Sequence, residues 1–299
     1  MKKILLIFAF ILAFLTNAQV NSYSFVQSSG TYTALTTPTV LETASASSSL
    51  DDTAYPVTLP FGFSFNGVNY SSLTANTNGF ITFGGTAPAG ATYTPISGTG
   101  TYAGAVSAFG KDLNSVFNIA GVTGSIGWGV VGTAPNREIV IEWKDFRTAY
   151  TTSTTNVYTL SFQIRLRETT NTIAIVYKNG AYLVGTTANS GSAQIGLRGA
   201  TNADFNNRLN ATSLAFGSST AGTANTSTQA YNTSAATPGM PANGLTYTWT
   251  PPTCFAPLAV TLTASTSTSA TIGWTAPATA PAAGYDVYYE AKSIGTRHN

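Results

Sequence analysis

The sequence predicts an all-β protein, an antiparallel β-sandwich, and three observations carry that expectation. Apolar residues alternate with small polar ones in several runs, Asn-Gly pairs punctuate those runs, and no segment shows a helical period. Composition agrees: about 50 threonines with 15 Tyr and 16 Phe are the residue types that strands favour. Only 8% of the residues are charged, against about 25% in ordinary soluble domains, so the surface should be uncharged Thr, Ser, Asn and Gly. A chain of 299 residues is long enough for one large or two ordinary domains with a real core.

The first element is not structural. Met1-Lys2-Lys3 followed by Ile4 to Leu15 is a basic head and an apolar stretch of secretory-signal length, too short to span a bilayer. Small residues at Thr16-Asn17-Ala18 place the cut after Ala18, so residues 1–18 read as a signal peptide and the mature chain as secreted or cell-surface, with no membrane insertion. Removing Lys2 and Lys3 leaves 11 basic against 11 acidic residues. That neutrality, without clusters of Lys or Arg, argues against nucleic acid as a partner.

Strands follow in order. Leu59, Phe61, Phe63 and Phe65 alternate with Pro60, Gly62, Ser64 and Asn66, one apolar face that must be buried. Asn66-Gly67 signals a tight hairpin, with Val68 and Tyr70 starting the return strand, and Asn78-Gly79 divides Leu73–Thr77 from Phe80–Phe83. Further strands read at Val106–Phe109, Ser125–Val131, Glu138–Asp145, Val157–Arg167, Thr172–Lys178, Ala193–Leu197 and Leu245–Trp249. In the clearest, Tyr158, Leu160, Phe162, Ile164 and Leu166 point inward, while Thr159, Ser161, Gln163, Arg165 and Arg167 face solvent; Arg165 and Arg167 opposite Glu138 and Glu142 resemble a binding patch but read as cross-strand ion pairs. Residues 211–243, rich in Ser, Thr, Ala and Asn, read as surface loops or a weak edge strand. Pro251-Pro252 marks a boundary, giving 19–252 as the sandwich and 253–299 as a second unit.

Chemistry is constrained by scarcity. The single Cys254 allows no internal disulfide and reads as a small apolar residue, and the single His298 sits beside the chain end. Serine- and cysteine-based triads and His-ligated zinc are thereby set aside, and no catalytic residue, cofactor or metal is expected. Glu138 and Glu142 share a strand face but stand roughly 13 Å apart, too far to act as a glycosidase pair. Two acids from different strands meeting in one cleft would revive a hydrolase reading. Asp51 and Asp52 could ligate a hard cation with Asp112 or Asn114, but the spacing is not that of a calcium loop and a solvated turn is expected. Trp128, Trp143, Trp249 and Trp274 lie among alternating apolar residues and should pack in cores. Trp128, between two glycines, is the one that could be an exposed platform for a sugar ring, joined by the loop tyrosines Tyr102, Tyr150 and Tyr182.

Leu59-Pro60-Phe61-Gly62-Phe63-Ser64-Phe65, then Asn78-Gly79-Phe80-Ile81-Thr82-Phe83-Gly84, resembles the nidogen-like extracellular domain. The likeness runs on through Ala108-Phe109-Gly110-Lys111-Asp112-Leu113, Ile139–Trp143, Phe162–Leu166 and Ala193–Arg198, covering roughly residues 20 to 250. It implies a non-catalytic module whose partner is an extracellular protein or glycan. An adhesion or interaction role follows, with a carbohydrate-binding accessory module as the alternative.

Pro257–Leu262, Ser269–Trp274 and Gly284–Tyr289 resemble the first three strands of a fibronectin type III domain, with Trp274 as its core tryptophan and Tyr285 to Tyr289 as its third strand. Only 47 residues run from Thr253 to Asn299, against seven strands and about 100 residues in such sandwiches, so this domain is expected to be incomplete and the chain to be the N-terminal part of something longer. The order of modules is similar to cargo of the bacterial type IX secretion system. Asp52-Thr53-Ala54 likewise resembles the O-glycosylation sequence used there, which marks Thr53 for a glycan.

Overall fold

In the computed structural model residues 20–210, 215–234, 239–255, 257–266, 268–277, 284–285 and 287 are described; the expected signal segment, His298 and most of the expected third fibronectin strand lie outside them. Two strands that alternation does not reveal come first, β1 (Ser24–Ser29) and β2 (Thr39–Thr43). Then β3 (Ala54–Phe65) turns into β4 (Val68–Asn76) through Asn66-Gly67, whose φ values of 52° and 78° suit the two central positions of a hairpin. At Gly79 before β5 (Phe80–Phe83) φ is +81° and a Cβ would lie 2.5 Å from the Phe109 carbonyl oxygen, so only glycine fits.

The remaining strands of this unit are β6 (Gly104–Gly110), β7 (Ser125–Val131), β8 (Glu138–Phe146), β9 (Val157–Arg167), β10 (Ile173–Tyr177), β11 (Ala181–Val184), β12 (Ser190–Arg198), β13 (Phe205–Leu209), β14 (Thr220–Ala221), β15 (Gln229–Asn232) and β16 (Leu245–Thr250). They form two antiparallel sheets, one ordered β1-β16-β10-β9-β8-β7-β2 with β11 against β9, the other β14-β13-β12-β6-β5-β4-β3 with β15 against β12. The architecture is the expected all-β sandwich. Between the sheets Phe109 of β6 meets Phe162 of β9 at 6.2 Å, the Trp143 indole donates to the Asn76 carbonyl at 2.9 Å, and the Tyr177 hydroxyl donates to the Ala108 carbonyl at 2.7 Å. The indole of Trp143 and the hydroxyl of Tyr177 thus each find a partner, the condition under which Trp and Tyr can be fully buried.

Three expectations are corrected. The outer face of β8 and β9 is not open to solvent: Glu142 is 4% exposed and Gln163 is fully buried. The connection from β1 to β2 crosses that face, where Gln163 donates to the Thr33 carbonyl at 2.9 Å and to Glu142 at 2.6 Å, and Tyr32 donates to Glu142 at 2.7 Å. Glu138 alone takes the expected ion pairs, with Arg165 at 3.0 Å and Arg167 at 2.8 Å. Residues 211–243, where described, contribute to the core rather than only to the surface: Phe216 and Tyr231 are buried and pack on Phe109 at 6.3 and 5.3 Å.

Gln19–Pro252 is one compact unit and Thr253 opens another. In the second, β17 (Leu258–Ser265) and β18 (Ala270–Thr275) form a two-stranded antiparallel sheet. Trp274, expected in a core, is 44% exposed there, because among the described residues its hairpin has no second sheet to close on, and its ring meets Tyr285 edge-on at 6.1 Å. Trp143 and Trp249 are fully buried, as expected. Cys254 is a free, exposed thiol in the segment between β16 and β17. Among the described residues no helix is long and apolar enough to cross a membrane.

Candidate functional site

Residues 84–103 connect β5 to β6 as one long loop, and Gly84 and Gly85, at φ 50° and 66°, turn the chain out of the strand. Long loops on a sandwich are where binding residues collect, and this one is pinned in shape from both sides. Asn76 donates to the Gly90 carbonyl at 3.1 Å and Asn78 to the same oxygen at 2.9 Å. On the far side Gln194 of β12 accepts from the Ile96 and Ser97 amides at 2.9 and 3.2 Å and donates to the Ser97 hydroxyl at 2.7 Å. Asn202 donates to the Ser97 carbonyl at 2.9 Å.

Two adjoining hollows result. The larger, about 520 Å³, is an open hollow lined by the loop itself, with Thr86, Thr92, Thr94, Thr99 and Thr101 as its hydroxyl groups and Tyr93 and Tyr102 as its rings. The smaller, about 370 Å³, shares Thr99, Gly100 and Thr101 and is completed by Arg198, Ala200, Thr201 and Asn202. Both fall in the size range of small-ligand pockets.

Beside the loop the chain gathers Asp51, Asp52 and Asp112, with one oxygen of each within 4.8 Å of the others. Asp52 is exposed there and Asp51 and Asp112 are half-buried, so the expected solvated turn is also where three carboxylates meet. Asn78 donates to Asp52 at 3.0 Å and the Tyr93 hydroxyl donates to it at 3.1 Å, which ties the cluster to the wall of the larger hollow. Burial, with Asp52 and Asp112 adding to it, pushes the Asp51 carboxyl up to about 6, and burial and Asp52 raise Asp112 as well. Asn114 is not part of the cluster, since its side chain exchanges hydrogen bonds with Thr151 at 3.0 and 3.2 Å. Three carboxylate oxygens are a partial hard-cation donor set, short of the six to eight that calcium takes.

Of the aromatic candidates, only Tyr102 belongs to the hollows, and it is no platform: it is 1% exposed and donates to the Pro95 carbonyl at 2.6 Å. Trp128 is half-buried on β7, opposite Thr39 and Ile141. Tyr150 is 50% exposed. Tyr182 is half-buried on β11, with its hydroxyl against Thr233 at 2.6 Å and its ring edge-on to Tyr158 at 5.0 Å. No ring pairing joins any two of these four among the described residues. Thr53 is exposed, and its hydroxyl donates to the Asp51 carbonyl at 2.9 Å.

A family model described as NIDO related matches residues 22–251, the whole of the sandwich. The chain belongs to the NIDO-related family. No curated relative and no solved structure matches it. Within the NIDO-related unit, alternation gives no sign of Gln194 or Arg198, because a polar residue on a strand reads as solvated whether or not a loop folds over it, and none of Tyr93, which lies in the loop where there is no alternation.

Proposed function

We propose that this NIDO-related protein is exported and acts as a non-catalytic interaction or adhesion module, holding an extracellular protein or glycan in the hollows at residues 84–103. The observation that carries this reading is the larger hollow, whose wall is hydroxyl, ring and backbone with no carboxylate in it. Such a surface can match a partner's hydrogen bonds and apolar faces without supplying a general acid or base. The signal-like head and the neutral mature composition support export, and the fibronectin-like pattern after Thr253 supports a multidomain surface protein of type IX cargo organisation.

The test is binding of the full chain to immobilised extracellular glycans and proteins by interferometry, alongside Ala91→Trp, which fills the larger hollow from an exposed position. A ligand retained by wild type and lost by the folded variant supports the reading; equal binding by both removes it.

A carbohydrate-accessory role acting through Trp128 predicts retention on insoluble polysaccharide that Trp128→Ala abolishes. A hydrolase reading draws on one observation, the approach of Asp51 and Asp112 with a raised Asp51 carboxyl. It requires release of reducing ends by wild type that Asp112→Asn stops.

A further inference from the structure

Arg198, the last residue of β12, is 2% exposed. Its Nη2 donates to the Gly100 carbonyl at 2.6 Å, and its guanidinium carbon lies 4.3 Å from the centre of the Tyr102 ring. Nε and Nη1 are buried and have no hydrogen-bond partner. Nor does a carboxylate answer the charge. The ion pairs among the described residues engage Arg137, Arg165 and Arg167. Asp204, which follows Arg198 closely in the chain, spends its oxygens on the Val20 and Asn21 amides and on Asn66.

A buried cation without a counter-ion, holding unmade N–H bonds, is costly to keep unless something arrives to meet it. Stacking on a ring explains part of its retention, and two other buried arginines use the same device, Arg147 on Phe117 at 5.5 Å and Arg208 on Phe25 at 3.7 Å. Arg208 gives Nε and Nη2 to Ser219; Arg147 gives Nη1 to two carbonyls of the loop that follows β8, while its Nε and Nη2, like two nitrogens of Arg198, are buried without a partner. Arg198 differs in lining a hollow. That hollow of about 370 Å³ opens beside Thr201 and joins the larger one through Thr99, Gly100 and Thr101.

We propose that the smaller hollow is an anion subsite in which Arg198 receives a carboxylate carried by an acidic glycan, a uronate, whose neighbouring ring occupies the larger hollow. The assignment rests on the proposed binding role of residues 84–103 and names its ligand class. A glycan is favoured over an acidic peptide because the adjoining wall offers Thr86, Thr92, Thr94, Thr99 and Thr101 hydroxyls and the Tyr93 ring, groups that pair with sugar hydroxyls and a ring face. Guanidinium to carboxylate is a charge-assisted contact, shorter and stronger than a neutral hydrogen bond.

The experiment measures binding of a galacturonate oligomer to the full chain by calorimetry, with a neutral glucan, a sulfated glycan and a Glu-rich peptide as comparison probes. Wild type binds the uronate oligomer most tightly. Arg198→Met weakens it at least about tenfold, the loss of one charge-assisted bond. Thr201→Glu, a change at an exposed rim position that places a negative charge at the mouth and keeps the argument testable if Arg198→Met misfolds, does the same. Uronate binding that is absent in wild type or unaltered in folded Thr201→Glu overturns the proposal, as does preference for the sulfated glycan or the peptide. The two hypotheses fail separately. Neutral glucan bound and lost in Ala91→Trp leaves the larger hollow as a site and removes the anion subsite. Uronate binding lost in Thr201→Glu but untouched by Ala91→Trp removes the larger hollow and keeps Arg198.

Discussion

Replacing Glu142 by Leu tests whether the connection between β1 and β2 is held onto the sheet by one buried carboxylate. Its Oε1 accepts from the Tyr32 hydroxyl at 2.7 Å, the Leu35 amide at 3.3 Å and Gln163 at 2.6 Å. Leucine keeps most of the volume and removes all three acceptors. Gln163 retains the Thr33 carbonyl at 2.9 Å, so it loses one of two bonds, and the Leu35 contact is long. Tyr32 loses its acceptor outright. Burial and the Glu142 carboxylate push the Tyr32 hydroxyl well above its ordinary range, so it is a donor at every usable pH. It is half-buried, and water recovers part of the bond. At about 1–3 kcal/mol for each donor left unmade, the partial losses sum to about 2–3 kcal/mol, a large share of the 5–15 kcal/mol that a domain commands. Glu142→Gln keeps an acceptor oxygen and should cost about 1 kcal/mol. Urea unfolding followed by tryptophan fluorescence reads both. A Glu142→Leu loss below about 0.5 kcal/mol, the range of a surface change, would refute the reasoning, as would equal losses for Leu and Gln.

Three further outcomes are expected. Gly79→Ala must place a Cβ 2.5 Å from the Phe109 carbonyl at φ +81°, so the denaturation midpoint should fall by the equivalent of about 2–4 kcal/mol; an unchanged midpoint contradicts the turn geometry. Because the Asp51 carboxyl is raised to about 6 in the folded state from its ordinary 3.8, the folded protein binds that proton more tightly than the unfolded chain. Its contribution to stability is then full below about pH 4 and lost as pH rises through about 6. Asp51→Asn should therefore be more stable than wild type at pH 8 and flatten the profile between pH 4 and 7, and parallel profiles count against it. If Thr53 carries a glycan in its native host, the intact mass of the secreted chain exceeds that of the polypeptide and Thr53→Ala abolishes the excess; a bare mass ends that expectation.

Strands whose side chains alternate between core and water are legible in the sequence, which is why Ser125–Val131 and Val157–Arg167 have the expected limits. β1 and β2 are missed because their apolar face is thin, with Val26 at 58% and Val40 at 54% exposure. β15 is expected only as an unplaced weak edge strand within 211–243, because Gln229 and Tyr231 sit in a run of small polar residues. The candidate site is less legible, for a physical reason. Asp51, Asp52 and Asp112 are named together from the sequence as possible cation ligands, but Asn114 is named with them and does not join, and only the turn at Asn78, donating to Asp52 and accepting from the Leu113 amide at 2.8 Å, brings the acidic segments together. Similarly, Arg198 and Tyr102 each satisfy a strand or loop pattern alone, and the loop that covers one with the other has no periodic signal.

The placement of β16 has a consequence for how the unit is made. This last strand of the sandwich is interior to its sheet, with Thr250 opposite Ser24 of β1 on one side and Trp249 opposite Ile173 of β10 on the other. Until residue 250 has left the ribosome, β1 has nothing to pair with and β10 presents a bare edge, so a nascent chain of two hundred or so residues holds an unfinished, adhesive sheet. Closure joins the two ends of the unit, the longest sequence separation available to it, which makes this a slow folder. Synthesis in full, kept unfolded until the end, is the route that this topology favours.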